Sequence, residues 1–288
     1  MQTESEKRTN GGRIMNTWSG EIFVIGAGSM AEAFIRGVTE THTVAPHQIA
    51  VTNRSNRERL ARLAQEYGVR VAGSLSEAAA ARLIVVATKP SDVDGALAAI
   101  LPHLHGQLLL SFAAGIPIDR LRQQSQGKVC PIRTMPNIPV SVLAGMTTVT
   151  FGEGVTNADK QDVLLLLSQL GEVAEIPESL MDAATAVSGS GPGFLCYLLE
   201  AMEEAAISRG FEAELARRLL LQTLIGTART LSEWGLSPGE LRRRVTSPGG
   251  TTFAGLEVMR TGEVHHLLGK ALHAAAERSR QFSQSLPV

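Results

Sequence analysis

Glu21-Ile-Phe-Val-Ile-Gly-Ala-Gly-Ser-Met-Ala31 is the stretch on which the reading of the fold turns. Its first half is a short apolar run with strand character, and Glu32-Ala-Phe-Ile-Arg-Gly-Val38 follows with helical spacing. The run between them is Gly-x-Gly-x-x-Ala, with a strand before it and a helix after it. That context makes the motif a dinucleotide fingerprint. Gly26 makes the tight turn, Gly28 lets a pyrophosphate approach the backbone, and Ala31 lets the helix pack close to the strand. Gly26, Ala27, Gly28, Ser29 and Met30 are therefore candidate cofactor-binding residues.

Outward from this unit, the next strand is Gln48-Ile-Ala-Val-Thr52, ending in Asn53-Arg-Ser-Asn-Arg57. A chain that prefers NAD places an Asp or Glu at this strand end to hold the ribose 2′-hydroxyl. Here that acid is missing, and Asn53, Arg54, Ser55 and Arg57 offer donors and positive charge suited to a 2′-phosphate. The reading is NADPH as the cofactor, with NADH as the alternative donor. Arg54 and Arg57 also admit a plainer role as the solvated start of a helix over Arg57–Tyr67.

The α/β alternation continues. Val69–Ala72 is expected to be a short strand and Leu75–Ala81 a small helix. Leu83-Ile-Val-Val-Ala-Thr88 reads as a central parallel strand, buried on both faces. Pro90 can open the helix Ser91–Ile100. Leu108–Phe112, Lys128–Arg133, Gly145–Phe151 and Glu172–Ile176 supply further strands, and Thr156–Leu170 a helix. Ligands of open α/β sheets bind beyond the carboxyl ends of the strands. Thr88, Lys89 and Pro90, with Ala113 and Ala114, should therefore line the cofactor crevice. Asn137, between two prolines, either offers an amide to a ligand or stabilises its own loop.

From about Glu178 the strand signals stop. Met181–Val187, Phe194–Ser208, Glu212–Trp234, Pro238–Thr246 and Glu263–Ser283 are helical by pattern and rich in Ala and Leu. Such helices carry more apolar surface than a small domain can bury in itself, so a homodimer is expected. Ser188-Gly-Ser-Gly-Pro-Gly193 interrupts the first of them, either for close packing or for a ligand. Near the end, Val245-Thr-Ser-Pro-Gly-Gly-Thr-Thr-Phe253 reads as a loop entering a helix, with Thr251 or Thr252 as the cap. Gly249, Gly250, a helix N-terminus and two hydroxyls suit an anion. The Arg242-Arg-Arg244 run reads as a solvated helix face.

Three regions follow: residues 1–19 as a disordered tail, with Met15 as an alternative start; 20–178 as an NADP-binding Rossmann-type domain; and 179–288 as a helical dimerisation and substrate-binding domain. The class is α/β followed by all-α. The chain has 288 residues, 44% of them apolar, and a net charge of −1. That balance speaks for a small-molecule substrate and against a nucleic-acid partner or a disordered chain. No apolar run approaches the ~18 residues that span a membrane. Cys130 and Cys196 lie far apart, without ligand spacing, which speaks for a reducing, cytoplasmic setting and against a metal site.

Gly26-Ala-Gly-Ser-Met-Ala31, Ala87-Thr-Lys-Pro90, Ser111-Phe-Ala-Ala-Gly-Ile116, Arg133-Thr-Met-Pro-Asn-Ile-Pro139 and Asp182-Ala-Ala-Thr-Ala-Val-Ser-Gly-Ser-Gly-Pro192 occur in order, followed by Val245–Thr252. With these motifs the chain resembles the pyrroline-5-carboxylate reductases over roughly residues 20 to 282. It departs at Thr88, where the family usually has Val, and near Ser74, where it often has an Asn that helps hold the ribose phosphate. The resemblance implies NAD(P)H-dependent reduction of a cyclic imine to L-proline, the last step of proline biosynthesis. It also implies an interlocked dimer, stacked into a decamer in some members.

The matched motifs hold only one strongly titratable side chain near the expected chemistry, Lys89. A cyclic imine can arrive already protonated, so orientation and electrostatics suffice where a ketone would need an enzymic acid. The expectation is that backbone N–H groups of Gly249, Gly250 and Thr251 hold the substrate carboxylate. By resemblance, the Thr252 hydroxyl serves the ring nitrogen as the catalytic contact. Ser188 and Ser190 then bind substrate nearby, and Ala113, Ala114 and Asn137 border the nicotinamide. Three other readings compete: a reductase of a six-membered imine such as a piperideine carboxylate, a hydroxyacid dehydrogenase using Lys89, and a non-catalytic NADP sensor.

Overall fold

A computed structural model describes residues 18–285, together with the short strands β1 (Thr9–Asn10) and β2 (Arg13–Ile14), which pair antiparallel. The other positions of the expected tail up to residue 17 lie outside the described residues. Trp18 departs from the tail reading. It is buried, its N–H donates to the Thr43 carbonyl at 3.0 Å, and the Arg82 guanidinium lies 4.5 Å from its ring centroid.

The first compact unit is built on a sheet whose strands are β3 (Glu21–Ile25), β4 (Ile49–Thr52), β5 (Arg70–Val71), β6 (Ala81–Val86), β7 (Gln107–Ser111), β8 (Val129–Pro136), β9 (Gly145–Phe151) and β10 (Gly171–Glu175). Their order is β10-β9-β8-β7-β6-β3-β4-β5. All neighbours are parallel except β8 and β9. From β3 the chain winds outward to β5, then returns to β6 and proceeds the other way. The switch point therefore lies between β3 and β6, where open α/β sheets hold ligands.

Alternation along the strands feeds two cores. Ile22 and Val24 face one side with Phe34, Ile35 and Val38 of α1 (Ser29–Glu40), Leu60 and Leu63 of α2 (Arg57–Tyr67), and Leu166 and Leu167 of α5 (Asn157–Ser168). Phe23 and Ile25 face the other side with Val93, Leu97 and Ile100 of α3 (Val93–Ile100) and Leu121 of α4 (Ile118–Gln124). Burying this apolar surface on both faces is the main drive for the layered arrangement. α4 is absent from the sequence reading: it is seven residues long and only Leu121 is buried. Leu75–Ala80 coils as a 3-10 helix, not an α-helix, and the central strand ends at Val86, leaving Ala87 to Lys89 as the loop beyond it.

Helical elements follow: α6 (Met181–Ala184), a π-helical turn over Thr185–Gly189, α7 (Gly191–Ser208), α8 (Ala213–Trp234), α9 (Pro238–Arg244), α10 (Thr251–Thr261) and α11 (Val264–Ser285). The expected break at Ser188–Gly193 is thus a wide turn followed at once by a new helix with Pro192 in its first turn. A Cβ on Gly189 would lie 2.8 Å from the Met135 methyl, so close packing on β8 accounts for that glycine.

By Cα packing the chain divides into Met1–Gly189 with Ala276–Val288, and Ser190–Ala275. The last turns of α11 join the first unit through the Ser279 hydroxyl, which donates to Asp182 Oδ1 at 2.7 Å. Beside it, buried Arg133 pairs with Glu178 at 2.9 Å, and the same carboxylate accepts the Ile118 N–H at the start of α4. Within Ser190–Ala275, only Ala216 is buried among the described residues. No helix of the described residues is long and apolar enough to cross a membrane.

Candidate nucleotide cleft and helix-terminus site

A cleft of about 740 Å³ opens at the switch point, lined by residues 25–28, 52–55 and 87–89 from three strand ends and by one side of α3. Gly26 is forced by its surroundings: its φ is +110°, and a Cβ there would lie 2.5 Å from the Ala87 carbonyl oxygen. Gly28 is the N-cap of α1, and no side chain caps that helix, so its first amides face outward from the turn. This arrangement suits an anion held by backbone donors.

Thr88 supplies the most telling atom. Its Oγ1 is buried and has no hydrogen-bond partner among the described residues, yet the residue lines the cleft. Buried polar atoms are normally satisfied, so a ligand with donors and acceptors fits here.

Of the expected cofactor residues, Gly26, Ala27, Gly28, Asn53, Arg54, Ser55, Thr88 and Lys89 line one cleft. Ser29, Met30, Pro90, Ala113, Ala114 and Asn137 do not. Pro90 opens a 3-10 turn that runs into α3. Ala113 is buried beside Ser111, while Ala114 is exposed and Gly115, at φ +74°, packs near Phe282. Asn137 Oδ1 accepts the Met146 N–H at 2.9 Å, so the side chain stabilises its own loop while its NH₂ group makes no hydrogen bond to the described residues. Ser74 caps its own turn by accepting the Ser76 N–H. Arg57 is the exposed first residue of α2, and Arg59, which does reach the cleft, is paired with Glu32 at 3.0 Å.

Several lining residues escaped the sequence reading: Thr52, Leu75, Ser91, Asp92 and the small side of α3 formed by Gly95, Ala96 and Ala99. The signal for the last was present, since small residues at one- and four-residue spacing after Pro90 mark one helix face.

The second candidate is the α10 N-terminus. Gly249 takes φ +69° and Gly250 takes the extended N-cap conformation. This corrects the expected threonine cap. The left-handed turn at Gly249 places the cap one residue earlier, so Thr251 and Thr252 become the first two helical residues and their hydroxyls are not turned back on the backbone. The amide set also changes. The Gly250 N–H donates to the Ser247 carbonyl at 3.0 Å, and a Cβ on Gly250 would meet Ser247 Oγ at 2.4 Å. The first-turn amides of Thr251, Thr252 and Phe253 have no acceptor among the described residues. Ser188 Oγ donates to the Ala184 carbonyl at 3.0 Å, and Ser190 precedes α7 without a side-chain cap bond.

Comparison with known proteins converges on one family. The model for the pyrroline-5-carboxylate reductase dimerisation domain matches residues 178–282, and the model for the coenzyme F420-dependent NADP oxidoreductase domain matches residues 21–115. Pyrroline-5-carboxylate reductase 2 of Bacillus subtilis is 35% identical over 268 residues, covering 92% of this chain and 95% of that one. The Arabidopsis thaliana reductase is 36% identical over 263 residues, covering 91% and 95%. The Coxiella burnetii reductase structure superposes with TM-score 0.87 at 32% identity, covering 92% of this chain and 98% of that one. The Plasmodium falciparum structure, with NADP bound, gives 0.82 at 26%, covering 93% and 99%.

Proposed function

We infer the reaction from one premise that these matches supply: this chain belongs to the pyrroline-5-carboxylate reductase family. The chain reduces the imine of 1-pyrroline-5-carboxylate to L-proline as an NAD(P)H-dependent oxidoreductase. When bound, the nicotinamide supplies a hydride. Gly26 and Gly28 with the α1 N-terminus would hold its pyrophosphate, and Thr88 Oγ1 would gain the partner it lacks among the described residues.

The observation that carries the substrate reading is the α10 N-terminus, where amides with no acceptor among the described residues stand beside two threonine hydroxyls. The amides of Gly249, Thr251, Thr252 and Phe253 hold the substrate carboxylate in this proposal, Gly250 makes the turn that presents them, and the Thr252 hydroxyl meets the ring nitrogen. Ser188 and Ser190 are the further substrate-binding residues. The imine reacts as its protonated iminium. Hydride from the bound cofactor would add to the imine carbon, the carbon–nitrogen π pair would become the amine lone pair while the nitrogen keeps its proton, and a further proton from solvent would give the ammonium form of the product. No step in this proposal draws on a strong enzymic acid, and Lys89 serves in it as a residue that lines the cleft.

The protein acts as a homodimer in this reading, and light scattering distinguishes that dimer from a decamer of five. Its setting is the cytoplasm. The test is Thr252→Ala, assayed with 1-pyrroline-5-carboxylate beside the six-membered imine. A hydrogen bond to a charged group contributes about 1.5–3 kcal/mol, so kcat/KM should fall by about 10- to 100-fold. NADPH affinity should change by less than about twofold, as expected of a residue that does not touch the dinucleotide. Turnover within a few-fold of the unaltered chain would remove Thr252 from the mechanism.

A further inference from the structure

The carboxylate that dinucleotide folds set against the ribose 2′-hydroxyl is missing from the end of β4, yet a carboxylate reaches the same corner from another element. Asp92 closes the Pro90–Asp92 turn and stands at the N-cap of α3. It lines the cleft with Asn53, Arg54 and Ser55. Arg54 Nη1 donates to Asp92 Oδ1 at 3.4 Å, and the side chains are 84% and 36% exposed. The Asp92 backbone is fixed, since its N–H donates to the Lys89 carbonyl at 2.9 Å. Its carboxylate makes no other hydrogen bond to the described residues, so most of its acceptor capacity faces the cleft.

These facts give the corner two opposed preferences. A 2′-phosphate is attracted by the Arg54 guanidinium but must share it with Asp92, whose negative charge stands beside the incoming dianion. A 2′-hydroxyl is neutral and can donate to the same carboxylate. We propose that Asp92 is a specificity-determining residue of this chain, restraining its preference for the 2′-phosphorylated cofactor and supporting use of the unphosphorylated one. This rests on reading the cleft as the nicotinamide dinucleotide site.

Equilibrium binding tests it without turnover. NADPH, NADH and the fragment 2′,5′-ADP are titrated by calorimetry into the full chain and its Asp92→Asn, Arg54→Ala and doubly substituted forms. Asparagine is as good an N-cap as aspartate, so α3 should be retained, and a thermal melt checks that it is. Unit charges a few ångströms apart in water interact by about 1 kcal/mol, so Asp92→Asn should tighten NADPH and 2′,5′-ADP about three- to tenfold at low salt. The gain should shrink at high salt, as screening requires. NADH binding should weaken about twofold or stay level, as expected for exchange of one acceptor. In the Arg54→Ala background the part of the gain that comes from releasing Arg54 should vanish, while the part that comes from direct repulsion of the 2′-phosphate persists. An NADPH-to-NADH affinity ratio unchanged by Asp92→Asn in both backgrounds overturns the proposal. Failure of the unaltered chain to bind either nucleotide would instead overturn the reading of the cleft.

Discussion

At the scale of single residues, Thr88 shows how a binding surface and a stable one pull apart. Its buried hydroxyl has no partner among the described residues, a situation that costs about 1–3 kcal/mol of desolvation. Valine has the same shape and no such debt. Thr88→Val is therefore expected to raise the melting temperature of the ligand-free protein. Losing one neutral hydrogen bond, about 0.5–1.5 kcal/mol, should weaken NADPH and NADH alike by about two- to twelvefold. Calorimetric melting and nucleotide titration check the two halves separately. A variant that gains stability without losing affinity would show that the hydroxyl serves no ligand. Thr88 was legible in the sequence as a strand-end residue, but its isolation was not, because that depends on which groups the fold brings within reach. Asp92 was less legible still: Arg54 stands 38 positions away, and only the switch point brings them together. The threonine cap misread at α10 has a local cause, since both Gly250 and Thr251 satisfy the sequence rule and the φ of Gly249 chooses between them.

At the scale of elements, the central strands β3, β6 and β7 were visible as apolar runs, because strands buried on both faces need continuous hydrophobicity. Strand directions were not. Nothing in Gly145–Phe151 announces that it pairs antiparallel with β8, since orientation depends on the tight connection through Ile138–Val142. The sequence reading placed the start of α5 at Thr156, and the structure shows why the helix begins there: Thr156 and Asp159 form a capping box. The Thr156 hydroxyl donates to Asp159 Oδ2 at 2.6 Å, and Arg82 donates to Oδ1 at 2.8 Å. The Thr156 hydrogen bond first, and the Arg82 bond and charge with it, outweigh partial burial and hold the Asp159 carboxyl below its ordinary 3.8. A folded-state value below the unfolded one means that the stabilisation is complete above 3.8 and is lost as pH falls through the folded value. Asp159→Asn should cost about 1 kcal/mol at neutral pH, the usual worth of a capping interaction. It should also flatten the acid side of the stability profile. Thermal melts at pH 7 and pH 3 check this, and parallel losses in both proteins would sink the assignment.

At the scale of the whole molecule, the two units differ in what they bury. The nucleotide-binding unit has a core on each face of its sheet. Ser190–Ala275 has almost none, and it exposes Leu195, Tyr197, Met202, Leu215, Leu219, Leu221, Ile225, Val258 and Leu267. Apolar burial yields about 25 cal/mol per Å², so helices that cover so little of their own surface are not stable alone. In the proposed homodimer another copy of the same helices would supply the missing cover, and the match to a dimerisation domain supports that reading. The expected mass in solution is therefore twice 30.7 kDa, or five times that pair if dimers stack. Leu219 and Leu215 are one turn apart on α8, so a charge there disturbs one face and leaves the sheet untouched. Leu219→Arg should shift the light-scattering mass toward one chain and abolish imine reduction. NADPH binding should stay within about threefold, because that fold carries its own core and domains of this kind fold as units. A variant that keeps the full assembly, or an unaltered chain that runs at the mass of one copy, would show that the exposed helical face is covered in some other way.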